Sequence, residues 1–190
     1  MLFQNRMFKK IDDKIIRQLK DIIGSQNVYV DSVVLDAYSH DETPGLEGQA
    51  EVVVKVKEKK EIVEVLKLGS SLKIPVTPRG GGTGLSGGAV PVAGGIVLSL
   101  ERMNRIIDID KTFRIARVEA GVINGILQRE AEIHNLFYPV NPASQDSCTI
   151  GGNVAEASGG ANAVRYGTTR NYVIGLEAVL PEGKIIHACA

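Results

Sequence analysis

The chain has 190 residues, with 22 Lys+Arg against 22 Asp+Glu, so no net charge draws it to nucleic acid or to an anionic membrane surface. Hydrophobic residues at 44% and charged residues at 23% suit a folded domain and exclude a disordered one. No stretch approaches the roughly 20 apolar residues of a membrane span, the opening MLFQNRMFKK carries no secretory leader, and Cys148 and Cys189 fit a reduced, cytoplasmic setting better than a disulfide framework.

The first predicted element is an amphipathic helix. Ile11, Ile15, Leu19 and Ile22 fall on one stripe, Ile16 and Ile23 widen it, and Gly24 stops it. Residues 28–35 (VYVDSVVL) read as a short extended piece, followed by a polar, turn-rich stretch over 38–49. From residue 52 the pattern runs β, α, β: a β-branched run at 52–56, a helix over 58–71 with Ile62, Val65 and Leu66 on one face, and a strand at 74–77. After a glycine-rich loop, 96–100 is a third strand, as in a β-α-β unit.

A second unit follows. Strands at 106–109 and 115–118 are joined through Asp110, Lys111 and Thr112, and a helix over 122–133 presents Ile123, Ile126 and Leu127. Another short helix begins near Ile150, and 174–180 is an apolar strand. Pro181 and Gly183 stand where a type I turn wants them, returning 184–187 as a hairpin partner. The chain then stops at Ala190 with no closing element, which reads as a fragment whose last strands have open edges that invite self-association. The expected units are 1–46, 47–104 and an incomplete 105–190.

Glycine is the compositional outlier: 21 residues, against the roughly 7% of average usage. The glycines cluster in 80–95 and again at Gly151, Gly152, Gly159 and Gly160. Without Cβ, such a run brings backbone N–H groups close to a ligand, and successive N–H groups form an anion nest. Residues 78–88 (PRGGGTGLSGG) also carry the hydroxyls of Thr83 and Ser86, so a pyrophosphate is the natural guest. Gly82, Gly84 and Gly87 match G-x-G-x-x-G, with Asp108 further on, which would suit a nicotinamide-dinucleotide enzyme. That motif needs a helix to open inside the glycines. Here Pro91, Gly94 and Gly95 follow, and they cannot sustain one.

The second cluster, 141–153 (NPASQDSCTIGGN), is rich in small polar groups. A Thr before a Gly-Gly that opens a helix could place N–H groups against a ring edge or a phosphate. A small-residue packing face is the competing reading. Two such loops on consecutive units suggest one elongated ligand held between them. Ser39, His40 and Asp41 have triad residue types, but adjacent side chains point apart, so a solvated turn is favoured. His40, His134 and His187 show no metal-ligand spacing. Arg79 suits a phosphate or a salt bridge equally, Cys148 suits small apolar packing, and 55–61 is a charged helix start.

These segments carry a resemblance. Residues 75–89 (PVTPRGGGTGLSGGA), 136–139 (LFYP), 148–155 (CTIGGNVA) and 166–177 (YGTTRNYVIGLE), with 38–43 (YSHDET), resemble the FAD-binding domain of the vanillyl-alcohol oxidase / p-cresol methylhydroxylase (PCMH-type) flavoproteins. The branch is that of the glycolate oxidase FAD subunit and D-lactate dehydrogenase. The resemblance implies an α+β fold, with FAD between two α/β subdomains and the domain truncated before completion. It implies that Pro78, Arg79, Gly80, Gly81, Gly82, Thr83, Gly84 and Ser86 hold the pyrophosphate. Pro142, Ser144, Thr149, Gly151, Gly152, Asn153 and Ala155 then line the ribityl chain and flavin. Gly159, Gly160, Tyr166 and Gly167 border the same cleft, and Val173 and Ile174 meet the adenosine end.

Some relatives attach FAD through a histidine at the position of Thr83, which threonine cannot do, so non-covalent FAD is implied. The implied reaction is oxidation of a small D-2-hydroxy acid, with an electron-transfer flavoprotein or iron-sulfur subunit as partner. Members of this branch add a cap domain that supplies the base and any metal ligands. No catalytic residue is therefore assigned within 1–190, and the chain alone is expected to be inactive. A non-catalytic truncated or split FAD-binding module is the alternative, with the nicotinamide enzyme second.

Overall fold

A computed structural model describes residues 8–189. Residues 1–7, which include most of the opening segment in which no leader is read, lie outside the described residues, as does Ala190. Helix α1 (Asp13–Ile23) starts where Asp12 caps it, its carboxylate accepting from Ile15 N at 2.8 Å. Gly24 ends it at φ 82°. Its buried stripe is Ile15, Leu19 and Ile23, with Ile11, Ile16 and Ile22 half-buried beside it.

The segment 28–35 departs from its extended reading. Only β1 (Val28–Tyr29) is strand, and α2 (Ser32–Ala37) follows. The Asp31 carboxylate accepts from the N–H groups of Val33 and Val34 and nucleates a helical turn that the β-branched residues alone do not announce. Helix α3 (Lys59–Leu72) opens on a capping box between Glu58 and Glu61. It closes through Lys73 at φ 55°, where Ile74 N donates to Gly69 O at 2.8 Å. Ile74 therefore belongs to the helix end, and β3 runs over Val76–Arg79 rather than 74–77.

Strand β2 (Val52–Lys55) and β4 (Ile96–Ser99) complete a four-stranded sheet of order β1-β2-β4-β3. Strands β2, β4 and β3 are parallel, with Val53 and Thr77 both in register with Val97, and β1 is antiparallel at the edge. The connection from β2 through α3 thus skips one place, which β4 fills. Val52, Val53, Val54, Ile96 and Val97 are wholly buried, as a parallel sheet covered on both faces requires. One face packs on α1 and α3 and the other on Tyr29, Val34, Leu35 and Tyr38. Each such side chain contributes about 1.5–3 kcal/mol of burial.

The second half is built of ribbons and short helices. Strands β5 (Ile106–Asp110) and β6 (Ile115–Val118) form a hairpin whose turn is fixed by Asp110 Oδ1, which accepts from Thr112 N and Phe113 N. Helix α4 (Asn124–Ile133) starts later than residue 122 because Ile123 is held extended in a bridge to Thr149. Helix α5 (Ile150–Glu156) begins where expected, and α6 (Ala163–Tyr166) follows. Strands β7 (Gly175–Val179) and β8 (Ile185–Cys189) pair antiparallel across a turn closed by Gly183 N donating to Leu180 O at 2.8 Å. This hairpin touches α3 through the ion pair Lys59–Glu177 at 2.9 Å. Leu176 and Ile185 on it are exposed. Among the described residues no helix is long and apolar enough to cross a membrane.

Candidate functional site

Strands β2, β3 and β4 end at Lys55, Arg79 and Ser99, and the glycine loop leaves the carboxyl end of β3. The crevice beyond such strand ends is where open parallel sheets hold ligands. A cavity of about 410 Å³ opens there, lined by Tyr38, Arg79, Gly80, Gly81 and Glu101 on one side and Ser147 and Thr149 on the other.

Residues 80–88 hold no helix, and neither do 88–95, so the nicotinamide fingerprint lacks the helix start that it needs. Gly82 and Gly87 adopt φ 68° and 75°. The backbone N–H groups of residues 81–86 donate to no protein acceptor among the described residues. The loop is pinned from outside: Glu42 N donates to Gly84 O at 3.0 Å, and Gly87 N donates to Thr43 Oγ1 at 2.8 Å. This leaves a run of unengaged donors, flanked by the hydroxyls of Thr83 and Ser86, held in place by the segment 41–43.

Arg79 is buried beneath this loop. Its guanidinium donates to the carbonyls of His40, at 2.6 Å, and Ala37, and stacks 5.2 Å from the Tyr38 ring. It therefore closes the end of α2 rather than pairing with a carboxylate, and burial lowers its pKa. A Cβ on Gly82 would collide with that guanidinium. Pro78 beside it is exposed on β3.

The second stretch lies directly against the first. A Cβ on Gly80 would collide with Thr149 Oγ1, and one on Gly81 with the Ser147 carbonyl oxygen. Pro142 and Ser144 sit in successive turns: Gln145 N donates to Pro142 O at 3.0 Å and Cys148 N to Ser144 O at 2.7 Å. The N–H groups at the start of α5, which the sequence offers to a ligand, are engaged. Ile150 N donates to Val122 O, Gly151 N to Ala120 O, and Gly152 N to Thr149 Oγ1. Asn153 is buried, its amide donating to Asn124 Oδ1 at 2.9 Å, and the Asn124 amide donates in turn to Val140 O. Ala155 is exposed at the far end of α5.

Gly160, at φ 110°, bridges Asn141, where a Cβ would collide with the carbonyl oxygen. From Gly159 and Gly160 the chain reaches Tyr166 and Gly167 through α6, Ala163 N donating to Gly160 O and Gly167 N to Ala163 O. Val173 and Ile174 lead into β7, and no hydrogen bond joins them to either loop among the described residues.

Four side chains at or beside the cavity escape a reading of the sequence. Tyr38 Oη donates to Glu101 Oε2 at 2.5 Å, Lys55 pairs with Glu101 Oε1 at 2.6 Å, and Ser99 Oγ donates to Glu101 Oε2. Burial pulls the Lys55 pKa down, but Glu101 and Tyr38 outweigh it and raise the value to about 12. Burial and the Glu101 bond raise the Tyr38 phenol. The available signal was positional, since Lys55 and Ser99 end parallel strands. Asp41, a turn residue by sequence, is buried. Its Oδ1 accepts from Thr43 N, and Oδ2 has no hydrogen-bond partner among the described residues.

The FAD binding domain family profile matches residues 50–188. The chain belongs to this family. It is 40% identical over 176 residues to the glycolate oxidase subunit GlcD of Bacillus subtilis, covering 93% of this chain and 37% of that protein. It is 46% identical over 156 residues to a D-lactate dehydrogenase of Archaeoglobus fulgidus, covering 80% and 35%. The structure of p-cresol methylhydroxylase with substrate bound superposes with a TM-score of 0.79 at 28% identity, covering 92% of this chain and 35% of that one. The fold is thus the PCMH-type FAD-binding fold, with FAD as its cofactor. The chain spans little more than a third of the length of the curated relatives it matches. The donor set fits that cofactor: unengaged N–H groups over 81–86 suit a pyrophosphate, and bare backbone at Gly80 and Gly81 lets both loops close on one groove.

Proposed function

We propose that this chain is the FAD-binding part of a flavin-dependent dehydrogenase that oxidises a D-2-hydroxy acid of the lactate or glycolate type. When bound, FAD would supply the hydride acceptor, flavin N5, and the chain supplies binding and orientation. The observation that carries the reading is the run of unengaged N–H groups over 81–86, with Thr83 and Ser86, facing a second glycine stretch. In this reading the loop from Pro78 to Ser86 cradles the two phosphates, with Arg79 acting from beneath by fixing the loop rather than by touching them. Thr149, Gly151, Gly152 and Asn153 form a rigid wall whose polar groups are already paired. Pro142, Ser144 and Ala155 supply the surface along which the ribityl chain and ring lie. Gly159, Gly160, Tyr166 and Gly167 border that surface, and Val173 and Ile174 mark its adenosine end. Thr83 has no ring nitrogen to attach a flavin, so FAD is held non-covalently.

FAD titrated into the purified chain is expected to quench its own fluorescence and shift its visible absorbance. No change in either sinks the reading. With D-lactate, FAD and an artificial electron acceptor the chain alone is expected to give no turnover. Measurable turnover would remove the alternative of a non-catalytic FAD-binding module.

A further inference from the structure

Glu156 closes α5, and its side chain reaches back across the groove to the glycine loop. Ser86 Oγ donates to Glu156 Oε2 at 2.6 Å. Glu156 Oε1 lies 2.6 Å from where a Cβ of Gly88 would stand, so the carboxylate fills the notch that this glycine leaves. Among the described residues no basic side chain pairs with Glu156. The carboxylate takes Ser86 Oγ at the edge of an anion seat made by the N–H groups of 81–86, none of which donates to it.

We infer that Glu156, resting against the bare backbone at Gly88, is an internal anion that competes with a phosphate of the ligand for Ser86 Oγ. The inference rests on the FAD-binding reading above. A phosphate and a carboxylate cannot share one hydroxyl without like-charge repulsion, which grows as the groove is closed from water. The ligand must therefore displace Glu156, which is exposed and free to swing outward. Glu156 sets how strongly a phosphate-bearing ligand is held without being part of the seat, and a neutral isostere there removes the competition.

The test compares the chain with its Glu156→Gln and Glu156→Ala variants. FAD affinity is read from flavin fluorescence, and ADP, which carries phosphates but no flavin, is titrated as a competitor. Glu156→Gln is expected to bind FAD about tenfold more tightly, and ADP to compete at correspondingly lower concentration, as loss of one like charge near a phosphate predicts. Glu156→Ala should match or exceed it. Equal or weaker FAD binding by both variants overturns the inference and leaves the FAD reading standing. So does a gain for FAD with none for ADP, because the carboxylate would then act on the flavin end. Failure of all three forms to bind FAD overturns the cofactor reading and this inference with it.

Discussion

The two glycine stretches look alike in sequence and differ in what glycine does. Over 80–88 the glycines leave donors unengaged: N–H groups of 81–86 have no protein acceptor among the described residues, and Gly82 and Gly87 take positive φ. At the start of α5 the donors are consumed by Val122, Ala120 and Thr149, and at Gly151 and Gly160 backbone comes too close for a Cβ. Both stretches remove bulk where they meet, and only the first displays unengaged donors as well. A ligand grasped between them meets an adaptable anion nest on one side and a prepaid, fixed wall on the other. Substitutions on the wall should therefore be read in stability, and substitutions on the nest in affinity.

The largest effect belongs to the wall. Gly160→Ala combines φ 110° with a collision against the Asn141 carbonyl oxygen. It should cost about 3 kcal/mol, seen as a lowered midpoint in thermal or urea unfolding. A variant that melts like the parent would show that 160 is as adaptable as the nest. Next comes Asn153→Ala, which removes the amide that donates to Asn124 Oδ1 and leaves that oxygen buried and unpaired. About 1–3 kcal/mol of stability should be lost. FAD affinity measured well below the melting range should change little, and a large loss of affinity at unchanged stability would make Asn153 a ligand contact instead.

The nest gives the opposite signature. At Gly84 a Cβ would meet nothing nearer than Asp41 Oδ2 at 4.0 Å, and no positive φ has to be held. Gly84→Ala should leave stability unchanged, or raise it by up to about 1 kcal/mol through lost unfolded-state freedom. FAD binding should weaken about tenfold, because the loop loses the freedom to close on a phosphate. Equal affinity with equal stability would mean that the loop is used as it stands, without adjustment.

How much of this the sequence carries depends on whether the cause is local. Helical periodicity is enough for α1 and α3, and the 52–56 and 96–100 runs are strands because β-branched side chains are buried on both faces. Residues 28–35 mislead because one carboxylate, Asp31, decides between strand and helix against the propensity of Val33 and Val34. The glycine loop itself is legible, and so is the absence of a helix after it. Which N–H groups remain unengaged is not, because the acceptors at Ala120 and Val122 lie some thirty residues before the donors that they capture. The order β2-β4-β3 and the cluster of Tyr38, Lys55 and Glu101 are likewise products of pairing at a distance.

The smallest effect concerns how the wall is fastened. Arg105 and Glu119 clasp the root of the β5–β6 hairpin, with Arg105 Nε and Nη2 donating to Glu119 Oε1 at 3.0 and 2.7 Å and Arg105 N donating to Oε2 at 2.9 Å. Glu119 is followed by Ala120, whose carbonyl holds Gly151 N, so this clasp lies one residue from the wall. The Arg105 hydrogen bonds hold the Glu119 carboxyl below its ordinary value of 4.5. A carboxyl that ionises more readily folded than unfolded adds stability wherever both forms are ionised, which is above 4.5. That increment disappears as pH falls from 4.5 through the lower folded value. Hydrogen exchange should accordingly show protection of Gly151 N and Ile150 N falling as pH drops below 4.5. In Glu119→Gln the wall should be weaker at neutral pH and its protection nearly flat across the same range. If the variant keeps the acid slope of the parent, the titrating group is another carboxyl, and the nest rather than the wall carries the pH response.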